Sequence, residues 1–217
     1  MRSLPTALAL AFCLCGCRHG GDPALGHGFS DRFDRTGLGS DWFNSGGPWR
    51  IVGGALSVDH AHNHPLWLRR RLPRDVRISF DVTARSPDGD LKVELFGDGK
   101  SCESDEAVRR DLIYTTTGYV LIFGGWHNRL STLVRENEHA WQFQPGVPSR
   151  RDVPVEPGHT YHWIIERRGG HLAWSIDGRP FLAYDDLAPL DGPGHDHFGF
   201  TDWESPVTFA NLVIEPL

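Results

Sequence analysis

Short runs of alternating apolar and polar residues, separated by turn-forming dipeptides, constrain the fold of this chain more than any other feature. Residues 76–83 (Val-Arg-Ile-Ser-Phe-Asp-Val-Thr) alternate without a break, and residues 91–96 do nearly the same. A period of two is typical of β-strands that bury one face. Apolar content and turn spacing predict further strands at residues 49–52, 55–58, 66–72, 119–123, 130–135, 161–167, 172–177, 181–184, 197–201 and 207–214.

Four dipeptides between these runs are typical of tight hairpins: Gly53-Gly54, Asp88-Gly89, Gly169-Gly170 and Asp177-Gly178. Hairpins make neighbouring strands antiparallel. An antiparallel sheet that is apolar on one side must cover that side. We therefore predict an all-β fold, a jelly-roll sandwich of two antiparallel sheets.

Both ends of this predicted domain resemble a known superfamily. Phe33-Asp34, Trp42 and residues 49–56 are similar to the start of concanavalin A-like lectin/glucanase domains, and especially of the bacterial 3-keto-disaccharide hydrolase family. Residues 161–167, 172–178 and 207–212, followed by Pro216-Leu217, resemble the last strands of that family. The resemblance implies the sandwich fold, and it implies an enzyme acting on a glycoside or an oxidised disaccharide as one possible function.

The middle of the chain departs from the glucanase relatives. Laminarinase-type glucanases carry Glu-x-Asp-x-x-Glu on one strand, which places a nucleophile and an acid together. Glu103-Ser104-Asp105 begins like this motif, but Val108 stands where the second glutamate belongs. Retaining glucanase chemistry of that type is therefore disfavoured.

The N-terminus has the order of an export signal. Arg2 precedes an apolar run at residues 4–14, which is too short to span a bilayer, and Leu14-Cys15-Gly16-Cys17 resembles a bacterial lipobox. This resemblance implies lipidation of Cys17. The alternative is an ordinary secretory peptide cut near Gly20. The predicted organisation is a signal peptide at 1–17, a tether at 18–27 and a single sandwich domain at 28–217.

The lipobox resemblance also implies a location. Lipid chains on Cys17 would fix the protein to a membrane of the bacterial cell envelope. The residue after Cys17 is Arg18 and not aspartate, which by resemblance to Gram-negative sorting favours the outer membrane.

Charge and cysteine content exclude some functions. The chain has 22 basic and 28 acidic residues. The predicted leader contains Arg2 and no acidic residue, so its removal leaves 21 basic residues and a formal charge of about −7 on the mature chain. Nucleic acid is therefore not an expected partner. Of four cysteines only Cys102 lies beyond residue 17, so no internal disulfide is expected.

Two carboxylates are candidate catalytic residues. In the alternating pattern, Asp81 and Glu94 occupy polar positions of consecutive strands. A four-residue turn would place them opposite each other, whereas a two-residue turn would place Glu94 opposite Thr83. Facing carboxylates repel, which raises one pKa and separates an acid from a base in glycosidases. The alternative is an ordinary solvated polar face.

Candidate ligand-binding residues cluster where predicted strands end. A pyranose stacks its C–H face on indole rings, and its hydroxyls pair with amides, imidazoles and charged groups. Strand ends next to loops commonly carry function, although the same residues could simply cover the rim. The candidates at strand ends are Trp126, His127, Asn128, Arg135, Glu138, His139, His197, Asp202 and Trp203. Lys92 is a further candidate, because it shares the polar strand face of Asp81 and Glu94.

Twelve histidines raise the question of a metal. In a strand His60, His62 and His64 share one face, but all three spread over ~13 Å, too far for a single zinc ion with bonds of ~2.1 Å. No sequence argument brings His195 or His197 to them. No phosphate-binding loop or dinucleotide motif is present, so the sequence calls for no cofactor and leaves a metal as a possibility.

These features leave three functional hypotheses. The first is an envelope lipoprotein whose sandwich domain binds carbohydrate. The second is a glycoside or 3-keto-disaccharide hydrolase. The third is a structural envelope lipoprotein without a small ligand.

Overall fold

The computed structural model describes residues 21–102 and 115–217. Cys17 and the Glu103-Ser104-Asp105 segment lie outside these ranges. Within them, no helix is long and apolar enough to cross a membrane. The strands of the described ranges are β1 (Phe29–Asp31), β2 (Trp42–Asn44), β3 (Arg50–Val52), β4 (Ala55–Val58), β5 (Leu66–Leu68), β6 (Val76–Ala84), β7 (Leu91–Gly97), β8 (Thr115–Gly124), β9 (Leu130–Asn137), β10 (Ser149–Arg150), β11 (Thr160–Arg168), β12 (His171–Ile176), β13 (Arg179–Asp185), β14 (His197–Thr201) and β15 (Val207–Pro216).

The strands form two antiparallel sheets. One sheet has the order β13-β12-β11-β6-β15-β4-β3, with β1 also paired to β15, and we call it the eight-stranded sheet. The other has the order β10-β9-β8-β7-β14-β5-β2, and we call it the seven-stranded sheet. This arrangement confirms the predicted two-sheet antiparallel jelly-roll sandwich.

Aromatic side chains fill the space between the sheets. Phe80 on β6 lies 5.3 Å from Trp163 on β11 and 5.5 Å from Phe200 on β14, measured between ring centroids. Phe200 lies 4.3 Å from Phe209 on β15. Each of these contacts adds to the free energy gained from burying the rings. The inward positions of β6 alternate strictly with its outward ones, as the period of two predicts.

Three of the four predicted hairpins are confirmed. β3 pairs with β4 across Gly53-Gly54, β11 with β12 across Gly169-Gly170, and β12 with β13 across Asp177-Gly178. Asp88-Gly89 is the exception. The strands that flank it, β6 and β7, belong to different sheets, so this segment crosses the edge of the sandwich instead of forming a hairpin.

The crossing overturns the predicted arrangement of Asp81 and Glu94. Asp81 lies on the eight-stranded sheet, where its carboxylate contacts His162 Nδ1 at 2.7 Å and accepts a hydrogen bond from Asn211 Nδ2 at 2.7 Å. Glu94 lies on the seven-stranded sheet. The two carboxylates cannot face each other in neighbouring strands, because their strands are not neighbours.

Sequence reasoning also missed features at the sheet edges. β1, β2 and β10 have only two or three residues each, too few to show alternation. The predicted tether is not wholly separate from the domain, because Leu25 is buried and donates a backbone hydrogen bond to Arg71 O at 2.9 Å. Its apolar side chain reaches the core, so the folded part begins before residue 28.

Candidate functional site

A groove of about 650 Å³ lies on the outward face of the seven-stranded sheet. Its floor contains Lys92 on β7 and Ile122 on β8, which are paired in register. The groove volume falls in the range of small-molecule sites. The described lining residues are Asp59, His60, Ser86, Asp88, Asp90, Lys92, Ile122, Trp126, His127, Glu138, His139, Trp203, Glu204, Ser205 and Pro206.

One wall carries Trp126, in a left-handed turn at Gly125–Asn128 between β8 and β9. Trp126, His127 and Asn128 have φ angles of 53°, 59° and 59°, a conformation that costs L-residues about 1–2 kcal/mol each. The Asn128 side chain holds the turn. Its Nδ2 donates to Pro87 O (3.0 Å) and Val155 O (2.7 Å), while its Oδ1 accepts from Val155 N–H (2.7 Å). Strain of this kind is typical of functional sites.

These bonds change the predicted role of Asn128. All three direct its amide at the backbone of neighbouring loops, and it does not line the groove. The Asn128 side chain therefore holds the turn that carries Trp126 and His127. The aromatic wall extends to His139 and Trp141, whose rings lie edge-on to Trp126 at 5.5 and 5.2 Å.

The other wall carries Trp203, just after β14. The Asp90 carboxylate accepts a hydrogen bond from Trp203 N–H at 2.9 Å, and Trp203 O accepts one from His62 N–H at 2.9 Å. The ring of His62 contacts the Trp203 ring edge-on at 4.9 Å. Backbone anchors on both sides fix the position of this tryptophan.

Asp202 lies beneath this wall and is fully buried. Its carboxylate accepts hydrogen bonds from Ala61 N–H and Ser205 N–H, both at 3.3 Å. Burial raises the pKa of Asp202 well above its usual range, and the nearby Asp90 adds to this while Lys92 opposes it. Asp202 was predicted to contact the ligand, but its position makes it a support for the loop that carries Trp203.

A buried ion pair forms part of the floor. Lys92 Nζ lies 2.7 Å from Glu138 Oε1 and 2.5 Å from Asn63 Oδ1, and the Lys92 side chain is 2% exposed. The attraction within a buried ion pair offsets the cost of removing both charges from water only when each charge keeps its hydrogen-bond partners. His139, the next residue after Glu138, lines the groove, and burial lowers its pKa. Its imidazole is therefore more often neutral than an exposed histidine.

Glu94 lies next to the groove in an adjoining small cavity of about 20 Å³, which Asn63 and Glu138 also line. A space of this size holds about one water molecule. Glu94 Oε1 accepts hydrogen bonds from Thr117 N–H at 3.1 Å and Thr117 Oγ1 at 3.2 Å. Burial nevertheless raises the pKa of Glu94 to about 8. The carboxyl group is therefore protonated at neutral pH.

Burial of β7 on both faces was not predicted. Alternation predicts a strand with an exposed polar face at Lys92 and Glu94, but every residue of β7 is buried. Loops from distant parts of the chain cover that face, including the segments that carry Asn63 and Glu138. No local pattern signals such a cover.

The structure brings six predicted ligand-binding residues to the groove, and these are Lys92, Trp126, His127, Glu138, His139 and Trp203. Two others lie elsewhere. Arg135 points to the interior side of β9, where its Nε lies 3.3 Å from Asp186 Oδ2. His197 begins β14, at the end opposite Thr201, where its ring lies against Gly99 and its Nδ1 is 2.7 Å from Asp196 Oδ1. Alternation and strand direction explain both placements.

Sequence reasoning missed most of the acidic lining residues. Asp88 and Asp90 flank Gly89, in a segment that looks like a hairpin turn but crosses between the sheets at the edge of the groove. Asp59, His60 and Glu204 are in loops that follow or precede short strands. The three alternating histidines do not form a strand, because His60 and His62 have φ angles of 59° and 50°. Within residues 21–102 and 115–217, no group of three His, Cys, Asp or Glu side chains is arranged to hold a metal ion.

No protein-family model matches the chain, and neither does any curated protein. Solved structures do resemble it. The carbohydrate-binding module CBM66 from Bacillus subtilis aligns with a TM-score of 0.57 at 13% identity, over 82% of this chain and 98% of that one. A Bacillus subtilis protein of unknown function with a galectin-like fold aligns with a TM-score of 0.62 at 14% identity, over 88% and 96%.

A laminarinase from Rhodothermus marinus also aligns, with a TM-score of 0.55 at 13% identity, over 87% of this chain and 96% of that one. At these identities the likeness concerns the fold.

Proposed function

We propose that this protein binds carbohydrate in the groove on the seven-stranded sheet. The observation that carries the proposal is the pair of tryptophans, Trp126 and Trp203, that line one groove on a sandwich of this fold. Both are held by backbone or side-chain anchors before any ligand arrives, so little ordering is needed on binding. The fold neighbours named as a carbohydrate-binding module and a laminarinase support the proposal.

The chemistry of the lining suits a saccharide. Indole rings stack on the apolar C–H face of a pyranose, and polar groups between them pair with its hydroxyls. Carboxylates such as Asp88 and Glu204 accept hydrogen bonds from hydroxyl groups, and they are more than half exposed. The groove therefore combines stacking surfaces with hydrogen-bond acceptors.

Alanine at Trp126 or Trp203 is expected to weaken saccharide binding at least tenfold, or about 1.4 kcal/mol, because each change removes a stacking surface. A glycan array identifies ligands of the unmodified protein, and calorimetry then measures the dissociation constants. Phe143→Ala is the matched control, since Phe143 is 60% exposed and does not line the groove. The proposal fails if no glycan binds, or if Trp126→Ala and Trp203→Ala bind as the control does.

Glycoside hydrolysis is a second candidate function. The pairing of Asp81 with Glu94 no longer supports it, because these residues lie on different sheets. What favours it is that the pKa of Glu94 is raised to about 8, so that its carboxyl group carries a proton at neutral pH, and that Glu138 lines the same small cavity. Glycosidases use one protonated acid together with a second carboxylate. Product analysis of the mixtures that show binding tests this candidate, and Glu94→Gln would remove any product formed by this route.

We further propose that Cys17 anchors the protein to the cell envelope, with the outer membrane as the favoured site. The support is the lipobox resemblance at residues 14–17. In a Gram-negative host, the full chain is expected to incorporate a clickable fatty acid and to sediment with membranes. Cys17→Ala is expected to lose both properties, because the thiol that accepts the lipid is gone. Labelling and sedimentation of the variant at wild-type levels would contradict the anchor.

A further inference from the structure

The described lining of the groove is unevenly charged. It contains five acidic residues, Asp59, Asp88, Asp90, Glu138 and Glu204, and one lysine, Lys92. Three histidines also line it, and two of them lie next to acids of the same lining: His60 Nδ1 is 2.5 Å from Asp59 Oδ1, and His127 Nδ1 is 3.4 Å from Asp88 Oδ1. The described part of the groove is therefore acidic.

The single lysine does not offset this charge for a ligand. Lys92 is buried in the floor, and its ammonium contacts Glu138 and Asn63. The charge of Lys92 is thus largely balanced within the protein. The carboxylates that remain nearest to solvent are Asp88 and Glu204, whose side chains are 60% and 55% exposed.

Tryptophan faces and carboxylates together are a combination that suits positively charged groups. An ammonium group is attracted to the face of an indole ring, most strongly when it is partly desolvated. Charge-assisted hydrogen bonds to carboxylates are about twice as strong as neutral ones. A uronate carboxylate in the same groove would instead meet like charges at short range.

Resting on the proposed carbohydrate-binding function, we propose that this groove selects glycans that carry protonated amino groups over neutral glycans, and excludes acidic ones. Selectivity of this kind comes from the wall residues Asp88 and Glu204 together with the two tryptophans. The tryptophans supply affinity for any sugar ring, and the carboxylates discriminate by charge.

Three tetrasaccharides with the same β-1,4-linked glucose-type backbone test the selectivity. One carries hydroxyl groups only, one carries an amino group on each ring, and one carries a carboxylate on each ring. Binding is measured by calorimetry at about pH 6, where the amino groups are protonated, and at low and near-physiological salt. We expect the amino tetramer to bind about tenfold more tightly than the neutral one at low salt, with the difference shrinking as salt screens the charges. We expect no binding of the acidic tetramer.

The variant Asp88→Asn/Glu204→Gln removes two charges without removing an anchor of either tryptophan, because Asp90 and Asn128 are unchanged. We expect it to lose most of the preference for the amino tetramer and to keep its affinity for the neutral one. Glu215→Gln is the charge control. Glu215 is exposed on the eight-stranded sheet and does not line the groove, so this variant should behave as the wild type.

The outcomes separate this inference from the proposed function. Equal binding of the neutral and amino tetramers, or a preference that survives in the double variant, overturns the selectivity and leaves carbohydrate binding intact. Binding of the acidic tetramer also overturns the selectivity and leaves carbohydrate binding intact. The same conclusion follows if array glycans of another linkage bind while none of the three tetramers does. Failure of every glycan to bind overturns both.

Discussion

Replacing Lys92 with methionine is expected to lower the free energy of unfolding by about 3–5 kcal/mol. Methionine fills a similar volume, but it leaves the Glu138 carboxylate without the ammonium group that now lies 2.7 Å away. Glu138 is only 6% exposed, so water can replace the lost partner only in part. Urea denaturation at neutral pH, followed by tryptophan fluorescence, measures the loss.

A double variant shows whether the unpaired charge is the cause. Lys92→Met/Glu138→Gln removes both charges and keeps the shape of both side chains, so it should recover most of the stability lost in Lys92→Met. Replacement of a whole buried pair is often close to neutral, whereas removal of one partner is not. If the unfolding free energy of Lys92→Met lay within about 1 kcal/mol of the wild-type value, the ion pair would have to be far better solvated than its burial indicates.

The buried Glu94 is expected to make the protein less stable as pH rises. Its pKa is raised from 4.5 to about 8 in the folded state. Between these values the folded protein keeps a proton that the unfolded chain has released. Stability therefore decreases with increasing pH, by up to about 1.4 kcal/mol per pH unit from this group. The contribution is fully present below pH 4.5 and is lost by about pH 8.

Glu94→Gln isolates this contribution, because glutamine keeps an oxygen for the two Thr117 donors and does not ionise. The difference in unfolding free energy between variant and wild type should grow steadily in favour of the variant from about pH 5 to pH 8. The raised pKa of Asp202 acts in the same direction but is common to both proteins. Glu215→Gln, which changes an exposed carboxyl group, should run parallel to the wild type. If the unfolding free energies of Glu94→Gln and the wild type changed in parallel with pH, Glu94 would have an ordinary pKa in the folded protein.

Much of the fold could be predicted because its signals are local. Strict alternation in β6 and the three confirmed glycine turns depend only on residues close together in the chain. The edge strands β1, β2 and β10 could not be predicted, because they are held by pairing to neighbours and are too short for a pattern of their own. The prediction of a hairpin at Asp88-Gly89 was wrong for a related reason. The same turn dipeptide is compatible with a hairpin and with a crossing between sheets, and its sequence does not distinguish the two.

The candidate site could be predicted in part. Trp126, His127 and Trp203 lie two or three residues after the ends of β8 and β14, and their position at strand ends was enough to select them. Asp202 and Asn128 were selected for the same reason, but both have their polar atoms directed at backbone groups. Position in the chain indicates which loop a residue belongs to, and it does not indicate whether its side chain faces the groove or supports the loop.

By itself, the sequence determined that this chain forms an antiparallel sandwich with tryptophans and charged residues at the ends of its strands, because strand periodicity and turn chemistry act over a few residues. Only the tertiary structure decided which of those residues share a groove and which charges are buried. Lys92 meets partners 29 and 46 residues away, and Glu94 is covered by segments from several loops. Burial and the pKa shifts that follow from it depend on such distant contacts, and no local pattern of residues specifies them.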